Sequence, residues 1–171
     1  MKRLDITWRN RALRLVWGCV YVALFRLSPT PLHFWRRLIL RIFGAKIGPG
    51  AHIYPSCKIW APWNLVMGEN SCLAPNVNCY NVGEIRLGKN AVVSQNTHLC
   101  GATHDKNTIS FDLYAGDIFV GANAWIAADA FISPDIVIGD DSIVYARSVV
   151  TKNIDAKTIV AGNPAAFIRN R

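Results

Sequence analysis

The sequence has no cysteine pair at the spacing of a zinc ribbon and no even cysteine count that would build a disulfide framework. None of its five cysteines forms a CxxC pair, and they are Cys19, Cys57, Cys72, Cys79 and Cys100. Small secreted folds and structural zinc sites depend on such pairs. We therefore expect reduced, mostly buried thiols and no metal ligand set.

The sequence also lacks a long apolar run. The uncharged stretch Leu15–Phe25 has 11 residues, whereas a spanning helix needs about 20. This stretch resembles the core of a signal peptide, but no small-x-small cleavage site follows it before Arg26. We therefore expect no secretion and a cytoplasmic location, with the inner face of the membrane as an alternative.

Acidic residues are scarce at one end of the chain. The net charge is +8, yet residues 1–46 hold ten Lys and Arg against Asp5 alone, which leaves a net −1 for residues 47–171. At 51% hydrophobic and 18% charged residues, the chain has the composition of an ordered domain. No nucleic-acid-binding module accompanies the basic segment, so we expect no nucleic-acid partner.

The basic segment predicts two helices. Residues 8–27 are mostly apolar, and Ser28–Pro31 ends them because each proline removes a donor and disfavours helix in the residue before it. A second helix over 32–43 places Arg37 and Arg41 four residues apart on one side. Such a pair either lies on an anionic membrane surface or caps the following domain, and the sequence leaves both open.

A short phrase recurs through the rest of the chain. An aliphatic residue is followed by Gly, two further residues, and Ala or Ser, in Ile47–Ala51, Met67–Ser71, Leu87–Ala91, Val120–Ala124 and Ile138–Ser142. Apolar residues continue at every sixth position between these copies. A helix repeats at 3.6 and a strand at 2, so neither explains a period of six.

A coil that turns a corner every six residues does explain this period. One apolar residue on each of three sides then points to the axis, and the small residues fill the corners. Stacked coils pair as short parallel strands and form a solenoid. The sequence therefore predicts a mainly β domain over residues 47–171 that follows the helical segment 1–46.

The chain resembles the bacterial hexapeptide-repeat acyltransferases, which are left-handed parallel β-helices and usually homotrimers. The runs Val120–Ile126, Ser148–Lys152 and Ala161–Ala165 match that family as a whole. Within the family, the chain is most similar to the acetyltransferases of colanic acid and exopolysaccharide biosynthesis, through the runs Phe25–Pro29, Phe43–Gly48 and Leu99–Asp105. The resemblance implies direct transfer of an acetyl group from acetyl-CoA to a sugar hydroxyl.

The six-residue count is interrupted once. Val120 follows Leu87 by 33 residues where 18 would complete a coil, which predicts an excursion over about 105–119. His104 and Asp105 stand where it begins, and loops on rigid scaffolds often carry function. Histidine suits proton transfer near neutral pH. In the family the matching histidine is the catalytic base, and Asp105 would orient it or help to bind the acceptor.

The resemblance also implies a coenzyme groove near the end of the solenoid. Small residues would leave room for the pantetheine arm, an aromatic ring would flank the thioester, and basic residues would meet the phosphates. The matching positions are Trp125, Ala128, Ala146, Thr151, Lys152 and Arg169. Tyr145 is bulkier than the family's usual corner residue. The residues expected to bind the sugar or oligosaccharide acceptor are Asn76, Asn78 and Asn81.

Two other functions fit parts of the sequence. The γ-class carbonic anhydrases share the coil and bind zinc through three histidines, so His98, Cys100 and His104 could belong to a zinc-dependent lyase. The sequence shows no third histidine where that family would place it. A non-catalytic scaffold that binds a membrane surface through residues 1–46 is the other alternative.

Overall fold

The N-terminal segment forms the two predicted helices. The structure is a computed structural model that describes residues 2–3, 7–105 and 109–171. Helix α1 spans Trp8–Val20, continues as a π-helical stretch over Tyr21–Arg26, and is followed by α2 over His33–Ile42. Gly44 ends the segment at φ +89°, a conformation that suits glycine. Both predicted helices are confirmed to within one residue at each end.

Most of the strands form stacked coils. After a short strand β1 (Lys2–Arg3), the first three coils contain β2 (Lys46–Ile47), β3 (His52–Ile53), β4 (Lys58–Ile59), β5 (Leu65–Met67), β6 (Cys72–Leu73), β7 (Asn78–Tyr80), β8 (Ile85–Leu87), β9 (Val92–Val93) and β10 (His98–Cys100). An excursion follows, with β11 (Ala102–His104) and β12 (Leu113–Ala115). The last coils contain β13 (Ile118–Val120), β14 (Trp125–Ile126), β15 (Phe131–Ile132), β16 (Ile136–Ile138), β17 (Ile143–Val144), β18 (Val149–Val150), β19 (Thr158–Ala161) and β20 (Ala166–Asn170).

Strands from successive coils pair to form three flat faces. The first face contains β2, β5, β8, β13 and β16; the second β3, β6, β9, β14, β17, β19 and β20; the third β4, β7, β10, β15 and β18. Pairing between coils is parallel, for example Leu65 with Ile85. The predicted six-residue positions all point inward and are at most 7% exposed, from Ile47 to Val150. The predicted parallel solenoid is confirmed.

The corners explain the rest of the repeated phrase. A Cβ atom on Gly88 would lie 2.6 Å from the backbone N of Ala122 in the next coil, so only glycine fits there. Many corners also need one residue at positive φ, and Asn or Asp fills most of these positions because they tolerate this conformation. Asn76 (φ +61°) and Asp135 (φ +63°) are two examples.

The excursion is a β-hairpin, and its boundaries differ from the prediction. It runs from β11 to β12 and is closed at its root by a hydrogen bond from Gly116 N to Gly101 O (3.1 Å). The expected range 105–119 begins and ends about three residues too late, because Ile118–Val120 must pair with β8 and β16 in the wall. Residues 106–108 of the expected loop lie outside the described residues.

The helical pair caps the open end of the solenoid. Carbonyl groups of the first coil have no preceding coil to pair with, and arginines of α2 donate to them instead. Arg36 Nε donates to Ile53 O (2.6 Å), Arg37 to Ala51 O (2.9 Å) and Arg41 Nε to Ile47 O (3.1 Å). The arginines of α2 therefore serve as a cap, which is one of the two alternatives left open by the sequence.

Candidate active site

His104 lies on the hairpin, at the end of β11. Its ring is exposed and stacks on the ring of Phe111, with centroids 4.4 Å apart and planes inclined by 4°. Nδ1 lies 2.8 Å from the carbonyl oxygen of Phe111. A carbonyl only accepts hydrogen bonds, so Nδ1 carries a hydrogen, and in the neutral imidazole the lone pair is on Nε2. The arrangement gives an oriented imidazole with one basic nitrogen available.

Phe111 takes an unusual conformation to make this contact. Its φ is +47°, in the left-handed region that costs a bulky residue about 1–3 kcal/mol. Strained residues of this kind concentrate at functional sites. The sequence did not identify Phe111, because nothing in the six-residue count marks a position inside the excursion.

Neighbouring residues brace the hairpin beside His104. The backbone N of Asp105 donates to Asp112 O (3.0 Å), which joins the two hairpin strands just past β11. The side chain of Asp112 lies 3.4 Å from Arg3, whose strand β1 pairs antiparallel with β12. The N-terminus thus adds a third strand to the hairpin, a pairing that the sequence did not predict.

Three of the predicted coenzyme-binding residues line one groove. Trp125, Ala128 and Ala146 meet at the corner between the second and third faces, in a groove of about 550 Å³ that also includes Ser94, Gln95, Ala127 and Tyr145. Trp125 Nε1 donates to Ser94 Oγ (2.9 Å) and so fixes the indole ring. Sequence reasoning missed Ser94 and Gln95, which come from the preceding coil.

The other predicted coenzyme-binding residues lie elsewhere. Thr151 and Lys152 follow β18 at the corner between the third and first faces, and both are exposed. Arg169 lies on β20, in register with Trp125 through Ile143 and Ile159. Three strand spacings separate Arg169 from Trp125, or about 14 Å.

The hairpin and the groove occupy different corners of the same chain. The groove lies between the second and third faces, whereas His104 extends from the chain between β10 of the third face and β13 of the first. His104 is not among the residues that line the groove. One copy of the chain therefore does not bring the histidine and the groove residues together.

The three predicted acceptor-binding asparagines have different surroundings. Asn76 is an exposed corner residue, and its positive φ accounts for an asparagine there. Asn81 is fully buried, with Oδ1 accepting from the backbone N of Trp60 and Ala61 (both 3.0 Å). The amide of Asn81 is therefore committed to the coil.

Asn78 lines a second pocket, under α1. This pocket of about 340 Å³ also includes Trp60 and Tyr80, whose rings meet edge to face at 5.9 Å. Arg14 lies over the Trp60 ring at 4.2 Å, and Lys58 is exposed at the rim. The lining combines aromatic rings, an amide and two cations, with no acidic residue.

The residues considered for zinc do not form a cluster. Within residues 2–3, 7–105 and 109–171, no group of three or more His, Cys, Asp or Glu side chains could hold a metal ion. His98 packs edge to face against Phe131, and burial lowers the pKa of its imidazole. The Sγ of Cys100 lies 3.2 Å from Ala102 O, and burial raises the pKa of its thiol.

A family model and curated proteins match this chain. The model described as bacterial transferase hexapeptide (six repeats) matches residues 117–152. WcaF of Escherichia coli (strain K12), which is named as a colanic acid biosynthesis acetyltransferase, is 42% identical over 156 residues, covering 91% of this chain and 86% of WcaF.

Solved structures share the fold. A maltose O-acetyltransferase from Clostridium difficile 630 is 26% identical, with a TM-score of 0.88 over 96% of this chain and 89% of its own. A galactoside acetyltransferase in complex with coenzyme A is 24% identical, with a TM-score of 0.88 over 98% and 84% of the two chains. The chain thus belongs to the hexapeptide-repeat acetyltransferase family.

Proposed function

We propose that this protein transfers an acetyl group from acetyl-CoA to a sugar hydroxyl of an exopolysaccharide or envelope polysaccharide precursor, with His104 as the general base. The observation that carries this proposal is the contact between Nδ1 of His104 and the carbonyl of Phe111. It fixes the tautomer in which Nε2 can accept a proton. The similarity to WcaF supports the class of substrate.

The reaction requires one proton to move from the acceptor hydroxyl to His104 and then from His104 to the leaving sulfur. Nε2 of His104 accepts the proton of the acceptor hydroxyl as its oxygen attacks the thioester carbon. When the tetrahedral intermediate collapses, the carbon–sulfur bond breaks and the proton returns to the leaving sulfur. The products are an acetyl ester and free CoA, with no covalent enzyme intermediate. Asp105, next in the chain, is proposed to help orient His104 or the acceptor.

The groove has the character that a pantetheine arm requires. Ala128 and Ala146 leave the corner open, and the fixed indole of Trp125 forms one wall. Arg169, about 14 Å away along the register, is the residue proposed to contact the CoA phosphates. Because acetyl-CoA is a cytoplasmic metabolite, the proposal includes a cytoplasmic location.

We propose that the complete site forms between two copies of the chain in a homotrimer. His104, Thr151 and Lys152 belong to one corner of the solenoid, and Trp125 belongs to another. When solenoids associate side by side, the histidine corner of one copy can face the groove corner of the next. Lys152 would then add a cation to the coenzyme groove of the neighbouring copy.

The pocket under α1 is proposed to bind the acceptor. Aromatic rings offer flat faces for a sugar, and Asn78 offers hydrogen bonds. Arg14 and Lys58, without a nearby acid in the lining, favour an acceptor that carries a negative charge. Tyr80 O accepts a hydrogen bond from Gly101 N, so this pocket lies beside the root of the hairpin (2.8 Å).

The direct test is CoA release by the purified protein across a panel of acceptors. Neutral sugars, uronic acids, sugar nucleotides and lipid-linked sugars would be compared with acetyl-CoA in excess. We expect acceptor-dependent CoA release, with preference for negatively charged acceptors. Absence of acetyl-CoA binding by calorimetry, together with no turnover on any acceptor, would overturn the proposal.

A further inference from the structure

The two helices of the cap pack their inner sides against the first coil of the solenoid. On α1, Trp17 is buried and its Nε1 donates to Ile59 O of the first coil (2.7 Å). On α2, Arg36, Ile39 and Leu40 are buried against the same end. Both helices therefore direct their opposite sides away from the solenoid.

Those opposite sides are apolar. On α1 the spacing i, i+4, i+7, i+8 and i+11 gathers Trp8, Ala12, Leu15, Val16 and Cys19, all exposed, on one side. On α2 the i, i+4, i+8 stripe consists of Phe34, Leu38 and Ile42, exposed by 60%, 47% and 72%. We call these two sets, with Val22 and Leu27 between them, the outer apolar face.

The concentration of apolar side chains here is specific to the cap. Among the described residues, ten of the seventeen exposed large hydrophobic side chains lie between residues 8 and 42. The wall and its hairpin, which are more than three times as long, hold the other seven. Contiguous exposed apolar surface of this kind marks an interaction site.

The charges around this face select the partner. Residues 7–46 contain no Asp or Glu, and Arg9, Arg11 and Arg26 are exposed at the two ends of the α1 helical stretch. A second copy docked face to face would bring these arginines together without a compensating acid. An anionic lipid surface suits both the apolar side chains and the arginines. Acyl chains accept the apolar side chains, and anionic headgroups pair with the arginines.

We propose that the outer apolar face docks on the surface of an anionic membrane. The helices lie in the interface and do not cross it, since no helix among the described residues is long and apolar enough to span a bilayer. Trp8, with Arg9 lying 5.7 Å over its ring, suits the headgroup level, where amphipathic aromatic side chains are favoured. The face holds the capped end of the solenoid against the lipid.

Docking would hold the pocket proposed for the acceptor close to the lipid surface. This step rests on the proposed function. Arg14, Trp17 and Tyr21 on the inner side of the same helical stretch line the pocket under α1. A helix with its side chains is about 10 Å across. The docked pocket would lie about that far from the lipid surface, within reach of a sugar carried on a membrane lipid.

The test is flotation of the full-length protein with vesicles. We expect binding to vesicles of phosphatidylcholine with about 30% phosphatidylglycerol, and much weaker binding to phosphatidylcholine alone or in high salt. The double variant Leu15→Glu, Leu27→Glu should lose at least tenfold in binding. Both side chains are more than 70% exposed, so the fold should persist. The matched control is Phe167→Glu, 61% exposed on β20.

A second double variant measures the contribution of the arginines to vesicle binding separately from that of the apolar side chains. Arg9→Gln with Arg11→Gln should weaken binding to the anionic vesicles about fivefold per side chain and leave binding to neutral vesicles unchanged. Circular dichroism and acetyl-CoA binding in solution check that each variant is folded. These two readouts do not require docking, so they also separate this proposal from the proposed function.

Three results would overturn the proposal. The first is wild-type protein that does not float with anionic vesicles. The second is an equal loss of vesicle binding in the Leu15, Leu27 variant and in the Phe167 control. The third is a smaller oligomer for the Leu15, Leu27 variant in sedimentation, which would show that copies of the chain cover the face.

Discussion

The wall of the solenoid and the hairpin that leaves it are built in different ways. In the wall, each six-residue side repeats an inward apolar residue and the same parallel pairing, and one corner of each coil repeats the glycine contact. The hairpin has no repeat, pairs antiparallel, and holds Phe111 at positive φ. The regular region supplies rigidity, and the irregular region carries the oriented histidine.

This difference predicts that substitutions inside the wall mainly lower stability, whereas substitutions in the hairpin mainly lower catalytic activity. The largest effect on stability should come from an inward wall residue such as Leu99, which is fully buried in β10. Leu99→Ala should lower the free energy of unfolding by about 2–5 kcal/mol, because it leaves a cavity. Denaturant unfolding measures this, with half-exposed Val137→Ala as the control. A loss below about 0.5 kcal/mol would mean that the axis is not a packed core.

The groove should show an effect on binding of the co-substrate. Trp125→Ala removes the indole wall and should raise the KM for acetyl-CoA about tenfold, with the unfolding free energy little changed, because Trp125 is 44% exposed. Ser94→Ala removes only the hydrogen bond that holds the ring and should have a smaller effect, about fivefold. Steady-state kinetics measures both, and an unchanged KM in Trp125→Ala would contradict the groove assignment.

A moderate effect on kcat is expected inside the hairpin. Phe111→Ala keeps the carbonyl that binds Nδ1 but removes the ring stacked on His104. We expect kcat to fall about three- to tenfold, in line with an aromatic contact, while KM for acetyl-CoA stays constant. Phe111→Tyr should restore kcat, whereas Ile109→Ala, at an exposed position of the same excursion, should have no effect. A change in KM alone would place Phe111 in binding and not in orienting His104.

The sequence predicted the wall well because every side of a coil solves the same packing problem. Ile126, Leu73 and their counterparts repeat at six residues, and that spacing is enough to place them on the axis. The excursion was located from the broken count, but its ends were misplaced. Those ends are set by pairing of β11 with β12 in the hairpin and of β13 with β8 and β16 in the wall, and the six-residue count does not reveal these pairings.

Parts of the candidate site could be predicted because a residue type or a family pattern indicated the chemistry. His104 and Trp125 were identified from the family pattern, whereas Phe111 and Ser94 act through a backbone carbonyl and a hydroxyl that no spacing reveals. Asn81 was selected by its residue type, yet its amide serves the coil. The sequence leaves a membrane-binding and a capping role open for Arg37 and Arg41, and only the structure shows that they donate to carbonyls of the first coil.

Acetyl transfer by His104→Ala tests the central claim most directly. We expect kcat to fall about 10²- to 10⁴-fold, the range for loss of a general base. The unfolding free energy should be unchanged, because the side chain is exposed on the hairpin. Added imidazole should restore part of the activity by filling the space of the missing ring. Full acetyl transfer by a folded His104→Ala protein without imidazole would contradict the account.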